Sequence, residues 1–262
     1  MLDVIDVIDK GPEAGRPLLF VHGAFHGAWC WDEHFLDFFA ERGYRAVALN
    51  LRGHAGSPSP TPLNKCTVAD YVDDVHAVAA GLPTPPVVIG HSMGGFVVQK
   101  YLAAHHAPAG VLVASAPPYG VVRAVSRIVA THPRHCARTR SLGRPLEFFG
   151  TPEIARALFY HPATPDELVT RYVAALQEES TRVLYRDLTF GDLARPRQVT
   201  APVLGLGAEL DGFFNRREVL ATARAYRTEA EFFPAMGHNM MLEGGWAAVA
   251  TRIHAWLRGR GL

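Results

Sequence analysis

Short apolar runs alternate with stretches of helical periodicity along most of the chain. Strand-like runs lie at residues 18–21, 45–49, 86–89, 110–114, 202–206 and 230–233, and an alternating run at 2–8 suits an edge strand. Apolar residues at helical spacing predict helices over 31–42, from Thr67 onward, from Ser92 to about Ala104, and over 216–226 and 245–257. This alternation predicts an α/β fold, with a mostly parallel central sheet flanked by helices.

The alternation stops after Pro117-Pro118. From Tyr119 to about Val199 the chain contains helical fragments separated by prolines, and no buried strand is evident. Open α/β sheets bind their ligands at the carboxyl ends of the strands, where such an insertion can cover the site. We therefore expect a core formed by residues 1–117 and 200–262, with a helical lid at 118–199.

The motif Gly90-His91-Ser92-Met93-Gly94-Gly95 stands between a predicted strand and a predicted helix. Glycines two residues before and after the serine allow a sharp turn, in which a side chain would collide with the neighbouring strand or helix. Such a turn lifts the Ser92 hydroxyl above the sheet. The motif therefore predicts a nucleophile elbow, and we expect the His91 side chain to pack beneath it, away from the hydroxyl.

A nucleophilic serine needs a histidine to take its proton and an acid to orient that histidine. In this architecture the acid and the histidine follow late strands, in that order. His238 follows the strand at 230–233, and Glu209 and Asp211 follow the strand at 202–206. We favour Asp211 because Gly212 supports a turn, but Glu209 remains open. An acid after the earlier strand is excluded, since residues 115–145 contain no carboxylate.

Two backbone N–H groups are needed to bind a developing oxyanion. One should come from Met93, the residue after the nucleophile. The other should come from Ala24, in the turn that follows the strand at 18–21. We expect these two N–H groups to form the oxyanion hole.

Aromatic residues beside these loops predict an apolar substrate pocket. Phe25 follows Ala24 in the turn after the strand at 18–21, Phe213 follows the candidate acid, and Tyr119 lies at the start of the lid. We expect these three to line the pocket. Two aromatic pairs within the lid, Phe148-Phe149 and Phe159-Tyr160, are interpreted as core residues.

The first part of the lid is rich in arginine and contains no acidic residue before Glu147. The arginines are Arg123, Arg127, Arg134, Arg138, Arg140 and Arg144. They would suit an anionic substrate, but charge runs are usually solvated surface. We favour the surface interpretation, with neutralising acids elsewhere in the fold, such as Glu178 and Glu179.

Net charge and cysteine content bear on the partners, the location and the metal content of the protein. Lys and Arg total 26 against 25 Asp and Glu, which gives no reason to expect binding to nucleic acid or to a membrane surface. Residues 1–6 do not resemble a signal peptide, and no apolar run could span a membrane. Three scattered cysteines (Cys30, Cys66 and Cys136) suit neither a disulfide framework nor a zinc site. We expect a cytoplasmic protein with no metal, and the oligomeric state remains open.

Together the motifs resemble the α/β-hydrolase superfamily. They are the run from His22 to Trp31, the loop from Leu51 to Ser57, the Ser92 elbow, and Met236-Gly237-His238. The resemblance spans residue 18 to the C-terminus apart from the lid, and the first motif is similar to that of plant methylesterases and hydroxynitrile lyases. It implies a serine-histidine-acid hydrolase, usually without a cofactor.

These observations predict hydrolysis of a small to medium apolar ester, thioester or lactone through an acyl-enzyme on Ser92. A lyase or a biosynthetic cyclase on the same fold is the alternative, and a ligand-binding receptor is a further one. No lysine occurs between Tyr119 and Val199, which argues against a cyanide-stabilising lyase.

Overall fold

Seven strands form one sheet in the computed structural model, which describes residues 5–135, 137 and 144–262. The strands are β1 (Val7–Lys10), β2 (Pro17–Val21), β3 (Arg45–Leu49), β4 (Val87–His91), β5 (Gly110–Val113), β6 (Val203–Ala208) and β7 (Ala230–Phe233). Their order is β1-β3-β2-β4-β5-β6-β7, with β1 antiparallel to β3 and the other neighbours parallel. The predicted α/β fold is confirmed.

The central strands are buried on both faces. Every residue of β2, β4 and β5 is buried, which explains why these strands read as continuous apolar runs rather than alternating ones. Successive side chains of a strand point to opposite faces. Leu18 and Phe20 accordingly join the core on one side of the sheet, and Leu19 and Val21 join the core on the other.

Helices cover both faces of the sheet. They are Trp29–Asp32, Phe35–Ala40, Val68–Ala80, Met93–Ala104, Arg216–Ala225 and Trp246–Arg258, with a short 3-10 helix at Leu63–Lys65. The predicted cap at Thr67 is present: its hydroxyl accepts the N–H of Asp70, and the Asp70 carboxylate accepts the N–H of Thr67. This capping box fixes the start of the helix.

Two predicted elements differ in their bounds. The helix expected over 31–42 is two short helices, because His34 leaves the helical region with φ −149° and its ring stacks on Trp246. The edge strand expected over 2–8 runs from Val7 to Lys10, because its pairing with β3 begins at Leu49 and ends at Ala46. Residues 2–4 of that prediction lie outside the described residues.

The chain between β5 and β6 is helical. We call residues 118–199 the helical insertion, and its described part contains no strand. Its helices are Val122–Thr131, Leu146–Phe149, Pro152–Phe159 and Asp166–Ala174, followed by a π-helical segment Val183–Gly191 and a 3-10 turn Pro196–Gln198. The insertion leaves the carboxyl end of β5 and returns to the amino end of β6, the neighbouring strand of the sheet.

A buried ion pair joins the helical insertion to the loop after β3. His54 Nε2 lies 3.1 Å from Glu179 Oε2, and both side chains are fully buried. Burial lowers the pKa of His54, but the charge and hydrogen bond of Glu179 and the backbone hydrogen bonds of the ring together raise it by more, so that this pKa lies above its ordinary 6.5. Burial also raises the pKa of Glu179, but His54 and the hydrogen bonds from Tyr71 and Ser180 together outweigh that effect and keep this pKa below its ordinary 4.5.

We expect Glu179→Gln to lower stability in a pH-dependent way. The raised pKa of His54 contributes to the free energy of unfolding; this contribution is complete below pH 6.5 and is lost as the pH rises through the folded-state pKa. The lowered pKa of Glu179 makes a second contribution, which is present above pH 4.5 and is lost as the pH falls through the folded-state pKa. The free energy of unfolding of the wild type should therefore exceed that of the variant most between these values. Urea denaturation at about pH 5.5 and about pH 9 measures the difference.

Tyr71→Phe provides the control, because it removes a 2.6 Å hydrogen bond to Glu179 without removing the ion pair. Its stability deficit should change less with pH than that of Glu179→Gln. A deficit for Glu179→Gln that is equal at both pH values would contradict a charged His54–Glu179 pair.

Candidate active site

Ser92 occupies the turn between β4 and the helix Met93–Ala104. Its backbone has φ 52° and ψ −118°, a strained conformation for a residue other than glycine. A Cβ at Gly94 would lie 2.3 Å from the carbonyl oxygen of His22, and one at Gly90 would lie 2.4 Å from that of Gly94. Gly94 therefore lets the helix approach the end of β2 closely, and Gly90 lets the first turn of the helix pack directly on β4. These two close contacts hold Ser92 at the carboxyl edge of the sheet.

Four loops meet at this edge because β2, β4, β6 and β7 are parallel. The chain order reverses between β2 and β4, which is where open α/β sheets form a crevice. The loop after β2 carries Ala24, the loop after β6 carries Asp211, and the loop after β7 carries His238. The structure thus brings these residues to the same end of the sheet as Ser92.

His238 and Asp211 form a buried pair. His238 Nδ1 lies 2.9 Å from Asp211 Oδ2, and each side chain is 1% exposed. The other carboxylate oxygen of Asp211 accepts the backbone N–H groups of Phe213 (2.7 Å) and Phe214 (2.9 Å). These bonds fix the carboxylate, which in turn orients the imidazole ring of His238, a residue that lines the cavity.

Glu209 is the carboxylate that the sequence left as the alternative to Asp211. Its side chain is 49% exposed and lies 3.6 Å from Arg216, on the surface. The backbone N–H of Glu209 continues the pairing of β6 with β7 by donating to Phe233. This residue therefore still belongs to the sheet edge, whereas Asp211 lies two residues further along the loop and reaches His238.

Ala24 and Met93 present unoccupied N–H groups. Within the described residues, neither N–H donates a hydrogen bond to another group, and both residues line the cavity that contains Ser92. A Cβ at Gly23 would lie only 3.1 Å from Ser92 Cβ, so that the turn after β2 packs directly on the elbow. The two N–H groups therefore suit an anion formed beside Ser92.

Two further histidines next to the site are held neutral. Burial lowers the pKa of His26 to about 4; its Nδ1–H donates to the Ala24 carbonyl, and its Nε2 accepts from Asn239. Burial also places the pKa of His91 well below 6.5. Nε2–H of His91 donates to the His238 carbonyl (3.0 Å), so that His91 packs under the loop that carries His238.

A cavity of about 470 Å³ opens above Ser92 and His238. Its walls are aromatic and aliphatic, and none of its described lining residues is Lys, Arg, Asp or Glu. The aromatic wall includes Phe25, Phe148, Phe149, Phe159, Tyr185, Phe213 and Phe214. Most of the aliphatic wall comes from the helical insertion: Val121, Ala124, Val125, Ile128, Val129, Leu184 and Leu188. Such a cavity suits an uncharged, apolar ligand.

The structure places two of the three aromatics expected in the pocket at the cavity. Phe25 and Phe213 line it, and the Phe213 ring lies 4.7 Å from that of His238. Tyr119 lies outside the lining. It sits in a turn closed by the bond from Gly120 N–H to the Pro117 carbonyl, and this turn leaves its side chain 51% exposed.

Several cavity residues were assigned to the core in the sequence. Phe148 and Phe159 are buried and Phe149 is partly buried, yet all three line the cavity because they pack around an enclosed space. The helix Val122–Thr131 contributes Val125 and Ile128, at helical spacing. That spacing was the available signal, but spacing alone does not distinguish a cavity wall from solid core.

The arginines at the start of the insertion face acids rather than the cavity. Arg127 pairs with Glu218 (2.7 Å), and Arg144 lies near Glu147 (3.1 Å) and Glu178 (3.7 Å). These contacts agree with the surface interpretation for Arg127 and Arg144. Arg138, Arg140 and Cys136 lie outside the described residues.

Neither a metal site nor a membrane span is found in the part of the chain that the structure describes. No group of three or more His, Cys, Asp or Glu side chains there is arranged to hold a metal ion. No helix there combines the length and the apolar character needed to cross a bilayer. Cys30 and Cys66 are buried as free thiols.

Known proteins with similar sequences include haloperoxidases and methylesterases. A non-heme chloroperoxidase of Burkholderia pyrrocinia is 37% identical over 116 residues, which are 42% of this chain and 41% of the relative. Protein phosphatase methylesterase 1 of Mus musculus is 36% identical over 40% of this chain and 28% of its own length. The chain thus matches less than half the length of these curated relatives.

An esterase structure from Exiguobacterium antarcticum superposes with a TM-score of 0.76 at 20% identity, covering 97% of this chain and 95% of the other. At this level of identity the likeness establishes the fold alone. The model of the alpha/beta hydrolase family matches residues 18–252, which include both parts of the sheet and the helical insertion. The chain therefore belongs to the alpha/beta hydrolase family.

Proposed function

We propose that this protein is a serine hydrolase that cleaves a small to medium apolar ester, thioester or lactone through an acyl-enzyme on Ser92. The observation that carries the proposal is the buried hydrogen bond between His238 and Asp211. It orients a histidine that lines the same cavity as Ser92. A buried histidine oriented by a carboxylate beside a strained serine is the arrangement that activates a hydroxyl. The methylesterase among the proteins of similar sequence supports the same reaction class.

In the first half of the reaction, Nε2 of His238 takes the proton of the Ser92 hydroxyl as Oγ attacks the substrate carbonyl carbon. Asp211 holds the Nδ1–H tautomer and stabilises the imidazolium that forms. The carbonyl oxygen becomes an oxyanion and accepts hydrogen bonds from the N–H groups of Ala24 and Met93. The imidazolium then protonates the leaving alcohol or thiol, and the acyl group remains on Ser92.

The second half repeats these steps with water. His238 takes a proton from a water molecule, whose oxygen attacks the acyl carbon, and the same N–H groups bind the second oxyanion. Collapse of this intermediate breaks the bond to Ser92 Oγ, which recovers its proton from His238. The acid product then leaves through the cavity.

The cavity walls define the substrate class. A volume of about 470 Å³ fits a medium-sized acyl or aryl group. The described walls offer no charge to pair with a carboxylate or phosphate, and burying an unpaired charge costs several kcal/mol. We therefore assign an uncharged substrate. The helical insertion supplies most of the aliphatic wall, and on that ground we assign it the role of a lid.

Ser92→Ala should abolish both labelling by a fluorophosphonate probe and hydrolysis of p-nitrophenyl esters from acetate to decanoate, because the nucleophile is removed. The chain-length optimum of the wild type then measures the usable depth of the cavity. Labelling of the wild type without turnover of any ester would favour the lyase or cyclase alternative. A folded wild type that is not labelled would contradict the proposal and favour a receptor.

Asp211→Asn should lower kcat by about 10³- to 10⁴-fold, because the amide cannot hold the required imidazole tautomer. Glu209→Gln is the matched control, two residues away on the same loop, and should leave kcat within about twofold, since surface substitutions of this kind perturb little. Steady-state kinetics with p-nitrophenyl butyrate compares them. Equal losses in the two variants would contradict the assignment of Asp211.

Mono-p-nitrophenyl succinate should be hydrolysed with a kcat/KM at least about 100-fold below that of p-nitrophenyl butyrate, because its carboxylate would enter an uncharged cavity. Methyl p-nitrophenyl succinate, in which the charge is masked, serves as the control and should recover most of the rate. Comparable values for the charged and the masked ester would show that the substrate class is assigned wrongly.

A further inference from the structure

The turn after β2 is held in a conformation that its own sequence does not favour. Phe25 has φ 67°, which costs about 1–3 kcal/mol for a residue other than glycine and persists only where neighbours enforce it. Two carbonyls of the turn are bound from within: Gly23 by Nδ1–H of His22 (2.9 Å), and Ala24 by Nδ1–H of His26 (2.8 Å). The carbonyls of Phe25 and His26 need partners from elsewhere.

Gln177 supplies both of these partners. Its backbone N–H donates to the Phe25 carbonyl (2.9 Å), and its side-chain Nε2 donates to the His26 carbonyl (3.1 Å). Gln177 belongs to the helical insertion, some 150 residues further along the chain. All four carbonyls from Gly23 to His26 are therefore bound, and the N–H of Ala24 is left for the cavity.

The Gln177 side chain is fixed by further contacts. Its Oε1 accepts the N–H of Ala55, in the loop after β3 (2.8 Å). A Cβ at Gly27 would lie 3.1 Å from Nε2, so that the glycine leaves room for the amide. Two residues further along, the buried ion pair between Glu179 and His54 anchors the same segment of the insertion to the loop after β3. The Gln177 amide is thus held by its own bond to Ala55 and by the anchored Glu179 two residues further along the chain.

We propose that Gln177 is a positioning residue that holds the oxyanion turn with the Ala24 N–H directed at the Ser92 site. The inference rests on the proposed function, in which that N–H binds the oxyanion. The substrate contacts the cavity walls in the ground state and the N–H group mainly in the transition state. Loss of the Gln177 amide should therefore act on kcat and leave KM nearly unchanged.

Gln177→Met tests this role, because methionine has a similar length and retains the backbone bond to Phe25 while losing both side-chain bonds. We expect kcat for p-nitrophenyl butyrate to fall between about 10- and 100-fold, with KM within about twofold, since a small misplacement of an oxyanion donor has effects of this size. The inhibition constant of phenylboronic acid, whose adduct with serine is tetrahedral and anionic, should rise by the same factor as kcat/KM falls.

Two controls separate positioning from general destabilisation. Tyr71→Phe removes a buried hydrogen bond to Glu179 without touching the turn, and should leave kcat and the boronate inhibition constant close to those of the wild type. Gln177→Glu retains an acceptor for Ala55 but sets a carboxylate oxygen against the His26 carbonyl. It should therefore lower kcat at least as much as Gln177→Met.

Hydrogen exchange gives a readout that does not depend on activity. In Gln177→Met, amides of residues 22–28 should exchange faster than in the wild type and in Tyr71→Phe. If the wild type neither hydrolyses esters nor reacts with the fluorophosphonate, the proposed function fails, and unchanged exchange then also overturns the role of Gln177. In an active wild type, Gln177→Met with wild-type kcat and boronate affinity overturns it.

Discussion

The close approach of the Ser92 helix to strand β2 is the constraint on which the candidate site depends. At Gly94 the helix backbone comes so near β2 that a Cβ would lie 2.3 Å from the His22 carbonyl and 2.4 Å from that of Val21. No side chain separates the two elements there. The strained serine and the turn after β2 are thereby set against each other, and the N–H groups of Ala24 and Met93 share one side of the cavity. The loop after β6 then places Asp211, and the loop after β7 places His238, next to a serine whose position is already fixed.

The polar groups around this target are arranged so that charge can develop at one histidine. His26 and His91 also line the cavity, but their buried rings are engaged with backbone carbonyls, and for His26 with an amide, and burial keeps both neutral. His238 is the cavity histidine that has a carboxylate partner. Around these groups the walls are hydrocarbon, a setting in which a fixed N–H dipole acts more strongly on an anion than it would in water. The arrangement favours a reaction whose charges appear only in its transition states.

Local signals in the chain were sufficient for the sheet, the elbow and the order of the three candidate residues. The glycines around Ser92 and the Thr67 cap express requirements of a few neighbouring atoms, and such requirements can be read from a short stretch. The choice between Asp211 and Glu209 depends on how far β7 pairing extends along β6, which is a tertiary property. The cavity is tertiary as well. Phe149 and Phe159 have the same local pattern whether they close a core or surround a space, and Gln177 carries no pattern at all.

The helical insertion contributes walls to the cavity and also reaches the turn after β2 through Gln177, while Glu179 binds His54 in the loop after β3. In this fold, a protein engineer who exchanged the insertion for that of a relative, in order to change substrate preference, would also replace the partners of the Phe25 and His26 carbonyls. With the function and the role of Gln177 that we propose, selectivity and turnover would both change in such an exchange. A graft that retained residues 177–180 and replaced only the helices above them would alter the shape of the roof while leaving the support of the turn intact.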